Sequence, residues 1–206
     1  TVVMAPKPAS PLPKAIAGAS LLTDVVVNKY QYHLPLYRQS KIFASFNADI
    51  PDNTLGNWVM ESGSELMPLL LPPMWQATLS TNYLQVDETP VKVQKPNKKG
   101  YLWTYFAPYV GKGLVMFEFN LTRSGSVAEQ RLANFKGLLQ TDGYPGYTNL
   151  RKRYDITGLG CLTHARRKFS EIFKTTKNSA GITAEFINGV RPLYALEELM
   201  RESKFS

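Results

Sequence analysis

Tyr83-Leu84-Gln85-Val86-Asp87-Glu88-Thr89-Pro90 and Gly137-Leu138-Leu139-Gln140-Thr141-Asp142-Gly143-Tyr144 decide the reading of this chain, because each is an apolar run that delivers an aspartate. A carboxylate inside or beside a buried strand pattern is costly unless it is paired or holds a metal. Two such acids, separated by meandering strands and a helix pattern, point to a divalent-metal site for phosphodiester chemistry. Asp87 has Glu88 beside it, and neighbours on a strand face opposite ways, so only one of the two looks into a site. Asp87 is the expected one. Taken alone, Asp87 also reads as an acid ending a strand, and Asp142-Gly143 as an ordinary turn. The pairing carries the argument.

Working outward from these runs, the period is two from Tyr83 to Val93. Lys95-Pro96-Asn97-Lys98-Lys99-Gly100 reads as a hairpin loop, Tyr101 to Tyr109 as its partner strand, and Leu114 to Phe119 as a third. Ser126 with Glu129 forms a capping box for a helix through Leu132 and Phe135. Leu138 to Thr141 is a short buried strand, residues 144–150 a loop or short helix, and Ile156 to Leu162 another strand. Thr163 can cap the next helix, with Ala165, Phe169, Ile172 and Phe173 on one face. A last helix covers about 180–202. Three meandering strands, helix, strand, short helix, strand, helix is the order of the ribonuclease H-like fold, an α/β architecture with a mixed sheet. In that fold the first strand carries one metal-binding acid and the fourth ends at a second.

Upstream, residues 1–20 are rich in Pro, Ala and Ser and read as a linker or arm outside any core. Residues 21–80 read as a helical region. Leu22, Val25 and Val26 begin a helix, Pro35 restarts it, Asn47-Ala48-Asp49 turns, and Asp52 or Asn53 caps a helix with Leu55, Trp58 and Val59. Two short helices about a turn fit either a helix-turn-helix or a brace for the domain over 81–206.

The 206 residues carry 24 Lys+Arg against 16 Asp+Glu, a net charge of +8, which favours a polyanionic partner such as nucleic acid or marks a merely basic protein. A single cysteine, Cys161, excludes an internal disulfide and fits a reducing cytoplasm. No apolar run reaches the roughly 20 residues of a membrane span. Cys161-Leu-Thr-His164 resembles a metal pair, but His33 is the only other histidine, which argues against four-ligand structural zinc. His164 can contact a phosphate or assist proton transfer, or hold a structural hydrogen bond. Arg166, Arg167 and Lys168 open a helix beside the proposed site and read as DNA-backbone contacts, with Arg123 placed among them. Lys98, Lys99, Arg151, Lys152 and Arg153 add charge in loops. Tyr101, Trp103, Tyr105 and Tyr109 alternate on a strand, as sheet packing or a stacking platform.

These strings together resemble the Asp-Asp-Glu transposases of bacterial insertion sequences, specifically insertion sequence family sixty-six. The resemblance rests on Lys29-Tyr30 with His33-Leu-Pro-Leu-Tyr-Arg38-Gln39, on Asp87-Glu-Thr-Pro90, on Leu139-Gln-Thr-Asp142-Gly-Tyr144 with Gly146-Tyr147, and on Cys161 with His164-Ala-Arg-Arg-Lys-Phe169. It implies a ribonuclease H-like core, Asp87 and Asp142 as the first two catalytic acids, Mg²⁺ or Mn²⁺ as metal, and cutting and joining of transposon DNA ends. Self-association on DNA is expected with it. The family's third acid is a glutamate in a later Asn-rich motif that does not occur before Ser206. Glu197 and Glu198 look like part of a helical insertion instead. The chain therefore reads as the central catalytic segment of a longer protein, inactive alone. A related nuclease or resolvase, or a non-catalytic DNA-binding remnant, are the rival readings.

Overall fold

The computed structural model describes residue 12 and residues 15–95, 97–176 and 181–202. The chain divides into two compact units, Thr1–Met74 and Trp75–Ser206. Among the described residues no helix is long and apolar enough to cross a membrane.

The first unit is helical: α1 (Ala19–Tyr30), α2 (Leu36–Ser45) and the start of α3 (Asp52–Leu79). Its core joins Leu22 and Val25 of α1 to Leu55, Trp58 and Val59 of α3. Leu12, Ala15 and Ala17 are buried in the same cluster. This corrects the expectation that residues 1–20 lie outside any core: small and apolar side chains among the prolines fill space against α1 and α3. Pro6, Pro8, Pro11 and Pro13 lie outside the described residues. As expected, Pro35 separates two helices, and Asn47 takes the left-handed turn conformation at φ 60°. Gln39 is buried and donates from Nε2 to Leu34 O (3.1 Å) and Val25 O (3.3 Å), tying α2 back to α1.

The second expected helix is not short. α3 runs 28 residues through Pro68, Pro72 and Pro73. Each proline removes a helical N–H, but residues 67–73 are exposed, so water can take up the carbonyls left over. The last turns of α3 belong to the second unit, where Trp75 meets Tyr105 edge-on at 5.1 Å.

The second unit is built on five strands: β1 (Tyr83–Val93), β2 (Lys98–Ala107), β3 (Leu114–Asn120), β4 (Gly137–Thr141) and β5 (Ile156–Gly160). Their order is β3-β2-β1-β4-β5. The first three are antiparallel neighbours, while β4 runs parallel to both β1 and β5. This is the expected ribonuclease H-like sheet. The crossovers hold α4 (Gly125–Arg131), then a 3₁₀ turn (Pro145–Tyr147) running into α5 (Thr148–Arg151). α6 (Leu162–Thr176) and α7 (Ile182–Glu202) follow β5 and stack Phe169 on Phe186 at 4.0 Å.

Alternation separates the faces of the sheet. Leu84, Val86, Trp103, Tyr105, Ala107 and Met116 are buried on one face, with Val127, Ala128, Leu132, Phe135, Tyr147 and Leu150 completing the core. Trp103 and Tyr105 are thus packing residues. Tyr109 lies beyond β2 and is exposed. The opposite face carries Asp87, Thr104 and Phe117 in register across β1, β2 and β3.

Several boundaries differ from the sequence expectation. β2 begins at Lys98, because Lys98 and Lys99 pair with Val93 and Lys92 and extend the hairpin; Pro96 lies outside the described residues. The cap of α4 is Ser124, whose Oγ accepts from Ser126 N–H (3.3 Å). Ser126 is inside the helix, and Glu129 instead accepts from Asn149 Nδ2 (2.8 Å), so no capping box forms. α4 stops at Arg131, and Phe135 reaches the core from the following turn. β5 ends at Gly160 and α6 starts at Leu162, leaving Cys161 at the junction and Thr163 inside the helix. Ile172 is half exposed rather than aligned with the buried face of α6.

Candidate active site

The parallel pairing of β1 and β4 brings the two aspartates together. Gln85 lies opposite Gln140. Asp87 and Asp142 each follow that rung by two residues in the same direction, and therefore on the same face. Tyr83 OH bonds Gln140 Oε1 and accepts from Gln85 Nε2 (2.8 Å), linking the two strands by side chains beneath the aspartates.

Asp87 and Asp142 line one cleft of about 180 Å³ with Cys161 and His164, and Thr104 and Phe106 complete its β2 wall. In each aspartate, Oδ1 accepts a backbone N–H: Glu88 N to Asp87 (3.0 Å) and Tyr144 N to Asp142 (2.8 Å). The backbone at Asp142 is held as well, since Arg151 Nη2 donates to Asp142 O and to Thr141 Oγ1. His164, in the first turn of α6, points Nε2 at Asp87 Oδ2 across 3.7 Å, while its buried Nδ1 has no hydrogen-bond partner among the described residues. Cys161 is a half-buried free thiol on the cleft wall.

A second cleft of about 590 Å³ shares Asp142, Cys161 and His164 with the first and continues past Arg123, Tyr144, Arg151, Lys168 and Phe169. Cations thus flank the aspartates on one side. Arg167 and Lys168 are exposed, as is Arg166, whose guanidinium lies over the Tyr194 ring at 5.1 Å. Arg123 differs from these three. Its Nε and Nη2 bind Glu88 Oε1 (2.8 and 2.6 Å), and its guanidinium carbon stands 4.0 Å from the Tyr144 ring centre. Burial pulls the Arg123 pKa down, but the hydrogen bond and charge of Glu88 outweigh it and raise the value above its ordinary level.

Glu88 itself points away from the cleft, its side chain fully buried, and takes a second hydrogen bond from Tyr147 OH. Burial, reinforced by that bond to Glu88, pushes the Tyr147 phenol well above its usual range. This Glu88–Arg123–Tyr147 cluster was missed from sequence. The available signal was that Glu88 alternates with Asp87 and so falls inward beside Val86, where a carboxylate requires partners.

The donor set fits a hard divalent cation in part. Two aspartates lining one cleft match Mg²⁺, which takes one or two carboxylates and keeps several waters. Among the described residues, no group of three His, Cys, Asp or Glu side chains is gathered to hold a metal ion.

Comparison with known sequences settles the lineage. The family described as "Transposase IS66 family" matches residues 14–206. The chain belongs to the IS66 transposase family. Similar curated proteins include the uncharacterized proteins y4jD and y4qI of Sinorhizobium fredii (strain NBRC 101917 / NGR234). They are 32% and 30% identical over 97% of this chain. The chain spans only 42% and 40% of their lengths. Among solved structures, the simian T-cell lymphotropic virus intasome bound to PP2A regulatory subunit B56 gamma is similar at 16% identity and a TM-score of 0.33. That match covers 52% of this chain and 46% of the other. The HTLV-2 integrase catalytic core domain in complex with magnesium gives 16% identity, a TM-score of 0.32, and coverage of 54% and 82% respectively. In this IS66-family chain, Asp87 and Asp142 stand in the string Asp87-Glu-Thr-Pro90 and the string Thr141-Asp142-Gly143-Tyr144.

Proposed function

We propose that this chain is the portion of an IS66-family transposase that supplies two of its catalytic carboxylates, Asp87 and Asp142, for metal-dependent cleavage and joining of DNA. The observation that carries the reading is the shared rung: both acids emerge two residues past Gln85–Gln140 into one cleft. Asp87 and Asp142 would hold Mg²⁺ or Mn²⁺ through their carboxylate oxygens. Divalent metal held there would supply activation of an attacking water or 3′-hydroxyl and stabilisation of the leaving oxygen. His164, beside Asp87, is placed to contact a phosphate or take part in proton transfer. Arg166, Arg167 and Lys168 would neutralise backbone phosphates along the adjoining cleft, where Lys168 already lines the wall. Arg123 would contribute less to DNA, because Glu88 already engages its charge. A third carboxylate would be supplied by a part of the full-length transposase outside this chain. Action on transposon ends and target DNA in the cytoplasm, with self-association on DNA, completes the proposal.

The test is a strand-cleavage and strand-transfer assay with the full-length transposase. Asp87→Asn and Asp142→Asn should each abolish both steps. Hydrolysis without joining by the unaltered protein would favour a nuclease or resolvase. Full activity in either variant would sink the assignment of Asp87 and Asp142 as catalytic acids, and DNA binding without cleavage by the unaltered protein would favour a non-catalytic DNA-binding remnant.

A further inference from the structure

Asp87 and Asp142 each have one oxygen fixed by a backbone N–H, and the residues that donate them are connected to each other. Glu88 donates to Asp87 Oδ1, and its own carboxylate grips Arg123 by Nε and Nη2. Arg123 lies against the Tyr144 ring at 4.0 Å, and Tyr144 OH donates back to Arg123 O (2.8 Å). Tyr144 N–H then donates to Asp142 Oδ1 (2.8 Å).

We propose that Glu88, Arg123 and Tyr144 form a strut that sets where the Asp142 carboxylate stands relative to Asp87, which makes Arg123 and Tyr144 positioning residues of the two-aspartate site. The inference rests on the reading of Asp87 and Asp142 as metal ligands, but its geometry is independent of any bound metal. Both ends of the strut are braced. At the β1 end, Tyr147 OH donates to the second oxygen of Glu88, whose side chain is shut off from solvent, so the anchor cannot relax toward water. At the other end, the Tyr144 ring lies so close over Gly146 that an added Cβ would stand 2.2 Å from Cε1, and Gly125 abuts Gly146 O at 2.1 Å in the same sense. Tyr147 meets the Tyr144 ring perpendicularly at 6.0 Å. The Tyr144 ring is thus packed by Gly146, Tyr147 and Arg123, and the N–H of the same residue holds Asp142. Arg suits the middle of this chain better than Lys, because a planar fork binds a carboxylate by two nitrogens and stacks on an aromatic face at once.

The experiment uses the chain with Arg123→Lys, Tyr144→Phe and Glu88→Gln, each first shown to retain its circular dichroism spectrum. Hydrogen exchange at the Tyr144 amide is compared with that of β1–β2 amides such as Trp103. Arg123→Lys should speed exchange at Tyr144 by roughly fivefold or more while leaving the β1–β2 amides unchanged, as expected for loss of one local hydrogen bond. Mn²⁺ titration followed by electron paramagnetic resonance should show affinity lowered about 10- to 100-fold, the usual effect of removing a partner that orients a metal ligand. Unchanged protection at Tyr144 in Arg123→Lys overturns the strut. So does Mn²⁺ affinity within about twofold of the unaltered chain in all three folded variants. If the unaltered chain instead binds no Mn²⁺ that Asp87→Asn removes, the two-aspartate site fails, and the exchange measurement still judges the strut.

Discussion

Gly137→Ala tests the feature on which the site's geometry depends, the entry of β4 beside β1. Gly137 has φ +120°, a region that a residue with a Cβ rarely enters. A Cβ built there would stand 2.4 Å from Asn82 O, where carbon and carbonyl oxygen ordinarily keep more than about 3.3 Å. Asn82 O is the acceptor for Leu138 N–H (2.8 Å), the first bond joining β4 to β1, and Gly137 N–H donates to Asp155 O (2.9 Å). The substitution therefore strains the backbone, at about 1–3 kcal/mol, and weakens at least one ladder bond, at about 1 kcal/mol. The expected loss is about 3 kcal/mol in urea denaturation, with a melting temperature lowered by about 6–12 °C for a chain of this size. Gly63→Ala is the control: it lies inside α3 with nothing within 4 Å of an added Cβ, and should be neutral or stabilising by up to about 1 kcal/mol. A loss below about 1 kcal/mol for Gly137→Ala, with the control behaving as stated, would refute the claim that close approach at Asn82 sets the β1–β4 register.

Tyr147→Phe removes a hydroxyl that donates to a buried carboxylate, and should lower stability by about 2 kcal/mol in urea while leaving the exposed Asp87 cleft in place. Trp103→Ala empties the centre of the buried sheet face and should cost about 3–5 kcal/mol; a smaller loss by calorimetry would mean the site collapses freely. Asp155 is held below its ordinary pKa of 3.8 by the hydrogen bond from Arg153, so its contribution is full above that value and disappears as pH falls through the depressed folded value. Stability curves of the unaltered chain and Asp155→Asn should then differ at neutral pH and converge in acid; parallel curves down to about pH 2 would contradict the pairing. If Arg167 and Lys168 neutralise backbone phosphates as proposed, replacing both with Ala should lower the slope of log affinity against log salt on duplex DNA by about 1.8.

The strand pattern from Tyr83 to Val93 was legible because alternation there is imposed by one buried and one exposed face, and the structure reproduces that strand end for end. The same alternation separated Asp87 from Glu88. Their different environments could not be read, because Arg123 and Tyr147 are distant in sequence and meet Glu88 only through the fold. Ser124 and Ser126 are both competent caps, and the structure uses Ser124, whose Oγ accepts from Ser126 N–H. Lys98 and Lys99 look like loop residues, yet hairpin register carries them into β2. Leu12, Ala15 and Ala17 were hidden by the prolines around them, since composition describes a segment and burial is decided side chain by side chain.

The edge strand β3 has a consequence in solution. Val115, Phe117 and Phe119 are 41%, 58% and 52% exposed on the face that also bears Asp87, and Phe117 reaches that acid through one intervening residue, Thr104. An apolar row on an unpaired edge favours association between copies as concentration rises. Material lying over that row borders the face that carries Asp87, so oligomer and open cleft become competing states governed by mass action. If Asp87 and Asp142 hold metal as proposed, that affinity should weaken on concentration and recover on dilution, in step with light scattering.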